Sequence, residues 1–214
     1  RLAAEGVGVD DIRVLEGAGG HAIIQVADDG QNSIVLFAGA NAGISSDHVR
    51  AALAHTQPGD ILLLQNEINA TPALIEAGQR AGLRVVFNPA PMSPAVASYP
   101  LDRVSLLIVN EHEGEALGDC AAPQAILDAL ASRFPHTDLC LTLGAAGAVY
   151  QKASGPRWCC PAPRVQAVDT TAAGDAFIGF LLAALLQGRA EETAVRDACR
   201  AAAVSVTRPG ALDS

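Results

Sequence analysis

Aromatic side chains are scarce, at 4% of 214 residues with a single Trp. Half the chain is nonetheless hydrophobic. Its core must therefore be assembled from Ala, Val, Leu and Ile, which suits helices packed on a sheet. Positive charge is short as well, with 14 Lys and Arg against 23 Asp and Glu for a net charge of −9. No basic stripe exists to neutralise a phosphate backbone, so nucleic acid is not an expected partner. Any phosphate this chain binds must be held by local donors. No apolar run reaches the length of a membrane span and no signal-peptide pattern opens the chain, so no membrane partner is expected. The five cysteines (Cys120, Cys140, Cys159, Cys160, Cys199) are odd in number and lack Cys-x-x-Cys spacing. Adjacent Cys159 and Cys160 would point in opposite directions on a strand, a poor zinc site. Reduced thiols in a cytoplasmic protein are the expectation.

What is present is alternation. Residues 1–214 suit one domain with a sizeable core. Arg1–Gly6 reads as the tail of a helix. His21–Val26 and Ser33–Phe37 are β-like, joined by Ala27–Asn32 with hairpin turn chemistry. Beyond Asn41 the pattern predicts strand Ile61–Gln65, helix Ala70–Ala81 and strand Arg84–Phe87. Strand Leu106–Val109, helices Glu111–Leu117 and Pro123–Phe134, and strand Asp138–Leu143 follow. Gly147–Tyr150 and Arg164–Ala167 read as antiparallel strands around the Gly155-Pro156 turn, before helices Ala172–Gln187 and Glu191–Val206. Short, wholly apolar strands alternating with helices imply an α/β fold, a parallel sheet covered on both faces.

The most informative stretch is Asp169-Thr170-Thr171-Ala172-Ala173-Gly174-Asp175, leading into a helical run of Phe177, Ile178, Leu181 and Leu182. Small residues at a helix start leave the N–H groups of Ala172, Ala173 and Gly174 to converge where an anion can sit. Asp175 beside them is placed to take a proton from a hydroxyl attacking a phosphoryl group. A plainer arrangement fits the same spacing: Thr170 or Thr171 N-caps a buried helix, and Asp175 complements its dipole. Asn110-Glu111-His112-Glu113 likewise reads as an ordinary helix start at a strand's carboxyl end, where open α/β sheets bind ligands.

The Asp169–Phe177 segment resembles the second signature of the ribokinase family of sugar and nucleoside kinases, Asp-Thr-x-Gly/Ala-Ala-Gly-Asp-x-Phe. Gly39-Ala40-Asn41-Ala42, Phe87-Asn88-Pro89-Ala90-Pro91, Asn110–Glu113, Leu141–Gly144 and Val206–Ala211 resemble further family landmarks in order and spacing. The resemblance implies a ribokinase-like fold with a partial β lid at 21–38 and an ATP-dependent kinase acting on a primary hydroxyl of a pentose. D-ribose is the foremost expectation. Fructose, adenosine or another acceptor is the alternative, as is a catalytically impaired nucleotide-binding fragment. The family's first strand, with its sugar-binding Asp, and a Gly-Gly-rich motif are not found in these 214 residues, so an N-terminal portion is expected to be missing. A lone hairpin leaves unpaired edges; it is expected to be disordered, self-associated or paired with another chain, and the expected assembly is a homodimer.

The same resemblance implies residue roles. Asp175 would be the general base and contact substrate, with Ala172, Ala173 and Gly174 neutralising the transferred group. Glu67 would contact the sugar. Asn110, Thr142, Gly144, Gly147, Gly174 and Cys199 would line the ATP site, Cys199 standing where ribokinases often carry Asn or His. Glu113, with Asn110, would position Mg2+. Asp169, Thr171, Ser205, Arg208, Gly210 and Ser214 would enclose K+.

Overall fold

In the computed structural model, which describes residues 1–26 and 32–211, the apolar runs form strands, covered on both faces except at edge strand β3, where Leu63 is 44% exposed. Strands β3 (Ile61–Gln65), β4 (Arg84–Asn88), β5 (Leu106–Asn110) and β6 (Asp138–Thr142) are parallel. Two antiparallel strands, β7 (Ala148–Gln151) and β8 (Arg157–Cys160), complete a six-stranded sheet in the order β3-β4-β5-β6-β7-β8. The parallel strands add in one direction, so right-handed crossovers put their connecting helices on one face. These are α2 (Thr71–Arg80), α3 (Glu111–Gly118) and α4 (Pro123–Arg133).

Side chains alternate between two cores. Val85, Phe87, Leu107, Val109, Leu139 and Leu141 pack with Ile75, Ile126, Leu127 and Leu130 of the crossover helices. Val86, Leu106, Ile108, Cys140 and Tyr150 face the other way. There they meet α5 (Ala173–Leu186) and α6 (Glu191–Ser205), through Phe177, Leu181, Val195 and Ala198. Small residues let α5 and α6 lie close, which is how a core with so few aromatic rings still fills.

Among the described residues the expected strands and helices appear with ends shifted by a residue or two, except in three places. Arg164–Ala167 is not a strand; the antiparallel partner of β7 is Arg157–Cys160. Pro161 and Pro163 end pairing there, since neither offers an N–H to a ladder, and Val165 is exposed. A short helix, α1 (Ser46–Ala52), has no counterpart in the sequence reading. It is capped by Ser45, whose side chain accepts the His48 N–H while His48 accepts the Ser45 N–H. Within β8, Cys159 is exposed and Cys160 buried, as opposite facing requires.

Strands β1 (His21–Val26) and β2 (Asn32–Phe37) form a separate antiparallel hairpin, pairing only with each other among the described residues. The expected turn at Ala27–Asn32 lies, but for Asn32, outside the described residues. Ile23, Val35, Leu36 and Phe37 on this hairpin are all more than half exposed. The Arg1–Gly6 stretch is a single 3-10 turn, closed by left-handed Gly6.

Candidate functional site

Four strands end side by side at Gln65, Asn88, Asn110 and Thr142. This carboxyl edge is where open α/β sheets gather ligands. Behind Asn110, α3 opens with a reciprocal box: the Asn110 side chain accepts the Glu113 N–H at 2.9 Å, and Glu113 Oε2 accepts the Asn110 N–H at 2.9 Å. The ordinary-helix-start reading of this segment therefore holds locally. Glu113 does more than cap. It is 5% exposed, and its Oε2 also accepts from the Asn88 amide at 3.2 Å. Burial pushes its carboxyl above the usual range, against the downward pull of the Asn110 N–H and the Asn88 amide.

The start of α5 is built differently. Its N-cap is Ala172, held in the left-handed region at φ 60°, and no side chain caps it. Neither Thr170 nor Thr171 takes that role, so the plain capped-helix reading is overturned. The loop before it is pinned: Val168 and Asp169 N–H groups both donate to Val206 O, at 2.7 and 3.2 Å. The Asp169 carboxylate accepts the N–H groups of Thr171 and Gly210, each at 2.9 Å. Thr171, through side chain and backbone, and then Gly210 hold the Asp169 carboxyl down to about 2. Ala173 departs from expectation, since its N–H reaches Thr170 O at 3.3 Å. The N–H groups of Ala172, Gly174 and Asp175 have no acceptor among the described residues. A Cβ on Gly174 would meet nothing within 4 Å. Among the described residues no packing constraint demands glycine there, although glycine costs a helix interior about 0.5–1 kcal/mol relative to alanine. The bare Cα leaves the amides approachable from outside.

Asp175 sits on the first turn of α5, exposed, with its Oδ1 3.4 Å from the Gln65 amide nitrogen. Bordering the helix start, with Asp175 outside its lining, lies a cavity of about 550 Å³ lined by Thr142, Gly144, Gly147, Thr170, Gly174 and Cys199 among others. Five of the expected nucleotide-site residues thus share one cavity. Asn110 stands outside its lining, on the edge nearer Glu113. Another wall of the cavity is the loop through Ala162, Pro163, Arg164, Val165 and Ala167, which includes most of the Arg164–Ala167 segment expected as a strand. Gly147 explains how that wall comes so near: at φ 107°, a Cβ there would lie 2.1 Å from Cys160 O. Burial, with Cys160 nearby, pushes the Cys199 thiol up to about 11, so it remains a neutral S–H, donating to Cys160 O at 3.7 Å.

No cluster of three or more His, Cys, Asp or Glu side chains suited to a metal occurs among the described residues. That excludes an all-protein cage there but fits Mg2+, which keeps several waters and takes one or two carboxylates plus phosphate oxygens. Glu113 offers the carboxylate and Asn110 an amide. The expected monovalent-cation corner is partly assembled. Asp169, Thr171 and Gly210 are drawn together by the bonds above, and Ser205 and Arg208 close the turn after α6 through an Arg208 N–H to Ser205 O contact at 3.1 Å. A carboxylate keeps lone pairs beyond these bonds, so the donor set suits a cation. Ser214 lies outside the described residues.

Glu67 is exposed, two residues beyond β3. Its turn is anchored by buried Thr71, whose hydroxyl donates to Gln65 O and Ile68 O at 3.3 and 3.0 Å. Asn41 accepts the Asn69 N–H through its carbonyl at 3.3 Å, tying the segment below the hairpin to the same turn. Asn88 is a buried support and not a cleft residue. Gln65 was not foreseen, since a lone Gln at a strand end carries no spacing signal.

The chain matches the model of the pfkB family carbohydrate kinases over residues 1–214. It is 36% identical over 221 residues to a ribokinase of Haemophilus influenzae, covering 100% of this chain and 71% of that protein. Among solved structures it resembles a ribokinase from Cryptococcus neoformans in complex with ADP, at 32% identity and TM-score 0.83, covering 99% of this chain and 73% of that one. It also resembles an Arabidopsis thaliana ribokinase complexed with ribose and ATP, at 30% identity and TM-score 0.75, covering 90% of this chain and 64% of that one. Sheet order, glycine-bearing helix start and whole-chain match agree: this chain belongs to the pfkB family of carbohydrate kinases, phosphotransferases with an alcohol group as acceptor.

Proposed function

We propose that this protein transfers the γ-phosphoryl group of ATP to the primary hydroxyl of a pentose, D-ribose giving ribose 5-phosphate. The observation that carries the reading is the uncapped start of α5, where the open N–H groups of Ala172, Gly174 and Asp175 lie beside the exposed Asp175 carboxylate and Gly174 borders the cavity. The nucleotide occupies the cavity of about 550 Å³, its base toward Cys199 and α6 and its phosphates toward Gly144, Gly147 and Gly174. The Ala172, Gly174 and Asp175 N–H groups then face the transferred phosphoryl oxygens, where preorganised donors lower the barrier most. Ala173 contributes less than its neighbours, because its N–H already has a carbonyl.

Asp175 takes the proton of the attacking hydroxyl as the sugar oxygen bonds to phosphorus. The bond from phosphorus to the bridging oxygen breaks, and ADP leaves. Glu67 accepts sugar hydroxyls; a carboxylate can take two at once. Glu113 and Asn110 would hold hydrated Mg2+, which supplies charge neutralisation on the phosphates when bound. Asp169, Thr171, Ser205, Arg208, Gly210 and Ser214 would surround K+, steadying the loop before α5. The apolar hairpin suits pairing with a second copy in a homodimer, and the five free cysteines fit a reducing cytoplasm.

The test is ADP release by the 214-residue chain with ribose, deoxyribose, fructose and adenosine. Ribose should stimulate release most, and Asp175→Ala should cut kcat by about 10²–10⁴-fold without lowering Tm. Preference for fructose or adenosine would replace the acceptor, and near-normal kcat in Asp175→Ala would remove its role as base. Nucleotide binding without release in any mixture would favour a binding chain that does not turn over. The exposed apolar face of the hairpin gives that second reading its support.

A further inference from the structure

Gln65 and Asn88 end adjacent strands and are register partners across the β3–β4 ladder. The Asn88 amide nitrogen donates to Ile108 O at 3.0 Å and to Glu113 Oε2 at 3.2 Å. The Gln65 amide nitrogen donates to Asn88 Oδ1 at 3.0 Å and to Asp175 Oδ1 at 3.4 Å. The direction of every bond in this row is fixed from one end. Ile108 O is an acceptor only, and Glu113 Oε2 already accepts the Asn110 N–H, so the Asn88 amide must turn its NH2 toward them. Asn88 Oδ1 is then left facing Gln65, which must answer with its own NH2. The second hydrogen of that NH2 points at Asp175. Buried Thr71 fixes the Gln65 carbonyl from behind, so the side chain projects from a held backbone.

We propose that Gln65 is a positioning residue for phosphoryl transfer: with Asn88 it carries the donor–acceptor order set at Glu113 across the sheet edge and holds the Asp175 carboxylate toward the acceptor hydroxyl. This rests on Asp175 acting as the base. The 3.4 Å contact is long for a hydrogen bond, of the kind that tightens when a site closes on its reactants. Gln65 touches neither phosphate nor sugar in this scheme. It aligns the group that does, and small misplacements of a reacting group are costly.

The experiment uses the 214-residue chain and three substitutions. Gln65→Met keeps length without a donor, and Gln65→Glu sets an acceptor against both Asn88 Oδ1 and Asp175. Asp175→Ala removes the far end. In the ribose-dependent assay, Gln65→Met should lower kcat roughly tenfold to a hundredfold, with KM for ribose and ATP within about twofold and Tm unchanged; Gln65→Glu should lose more. Independently of turnover, 15N spectra should show the Gln65 side-chain amide pair shifting in Asp175→Ala, with the Asn88 pair unmoved. Unchanged kcat in Gln65→Met overturns the proposal, as does a Gln65 amide signal insensitive to Asp175→Ala. If the signal responds but Asp175→Ala retains turnover, the base assignment fails while the contact stands. Should the chain not turn over, the amide spectra alone decide whether Gln65 holds Asp175.

Discussion

Helices α3 and α5 start near the same carboxyl edge of one sheet and treat their first N–H groups in opposite ways. At α3 the chain supplies its own partners, Asn110 and Glu113 each capping the other. At α5 two threonines stand immediately before the helix, yet neither is used, and a left-handed alanine takes the N-cap position instead. A left-handed non-glycine residue costs about 1–2 kcal/mol, tolerated because Asp169 and Val206 fix the loop on both sides. The self-satisfied helix start supports the sheet edge; the unsatisfied one borders the cavity. On the proposed reading, its open donors serve the phosphoryl group.

Disabling the satisfied end should have the largest effect. Glu113→Ala removes a cap worth about 1 kcal/mol. It also strips the Asn88 amide of a buried partner, at about 1–3 kcal/mol. Tm should fall by roughly 5–10 °C. Glu113→Gln keeps an acceptor oxygen, so it should recover most of that loss in a thermal melt while still weakening Mg2+-dependent nucleotide binding. Closing the open end comes next. Gly174→Ala meets no atom within 4 Å and improves helix propensity, so stability should hold or rise by up to about 1 kcal/mol. In steady-state assays kcat/KM for ATP should fall about tenfold, equal to about 1.4 kcal/mol. A Gly174→Ala enzyme with normal kcat/KM would mean that the bare Cα is not there for ligand approach. The smallest effect is expected at the strained cap. Ala172→Gly relieves the left-handed conformation and should raise the urea midpoint by an amount equal to at most about 1 kcal/mol. Turnover should stay within about twofold.

Much of this arrangement was legible in the sequence, for identifiable reasons. The centres of strands β4 to β6 are short apolar runs because both faces are covered there, and that signature survives without a structure; edge strand β3 shares the pattern although Leu63 is 44% exposed. The Asp169–Asp175 stretch lies in consecutive residues, yet its spacing fits a capped helix as well as an anion site, and the family resemblance is what singles it out. Other features needed three dimensions. Strand β8 was misplaced because Arg164–Ala167 alternates polar and apolar residues as a strand would, whereas Arg157–Cys160 carries only a four-residue edge pattern. Helix α1 opens with Ser45 and His48 in a reciprocal cap, and histidine is not the usual third-position partner. Gln65 was invisible because its significance lies in what β4 and α5 bring to it. The neutralising role expected of three consecutive amides shrinks at Ala173, whose N–H turns back to Thr170.

Gly147 carries a consequence for how nucleotide preference can change. There the β6–β7 turn and the start of the proline-rich loop after β8 lie main chain against main chain, with space for a hydrogen and nothing larger. At Gly147 itself, no side chain can be added without unseating the loop. On the proposed reading, selectivity for the base is set from the helical side, where Cys199, Ala202, Ala203 and Val206 line the cavity.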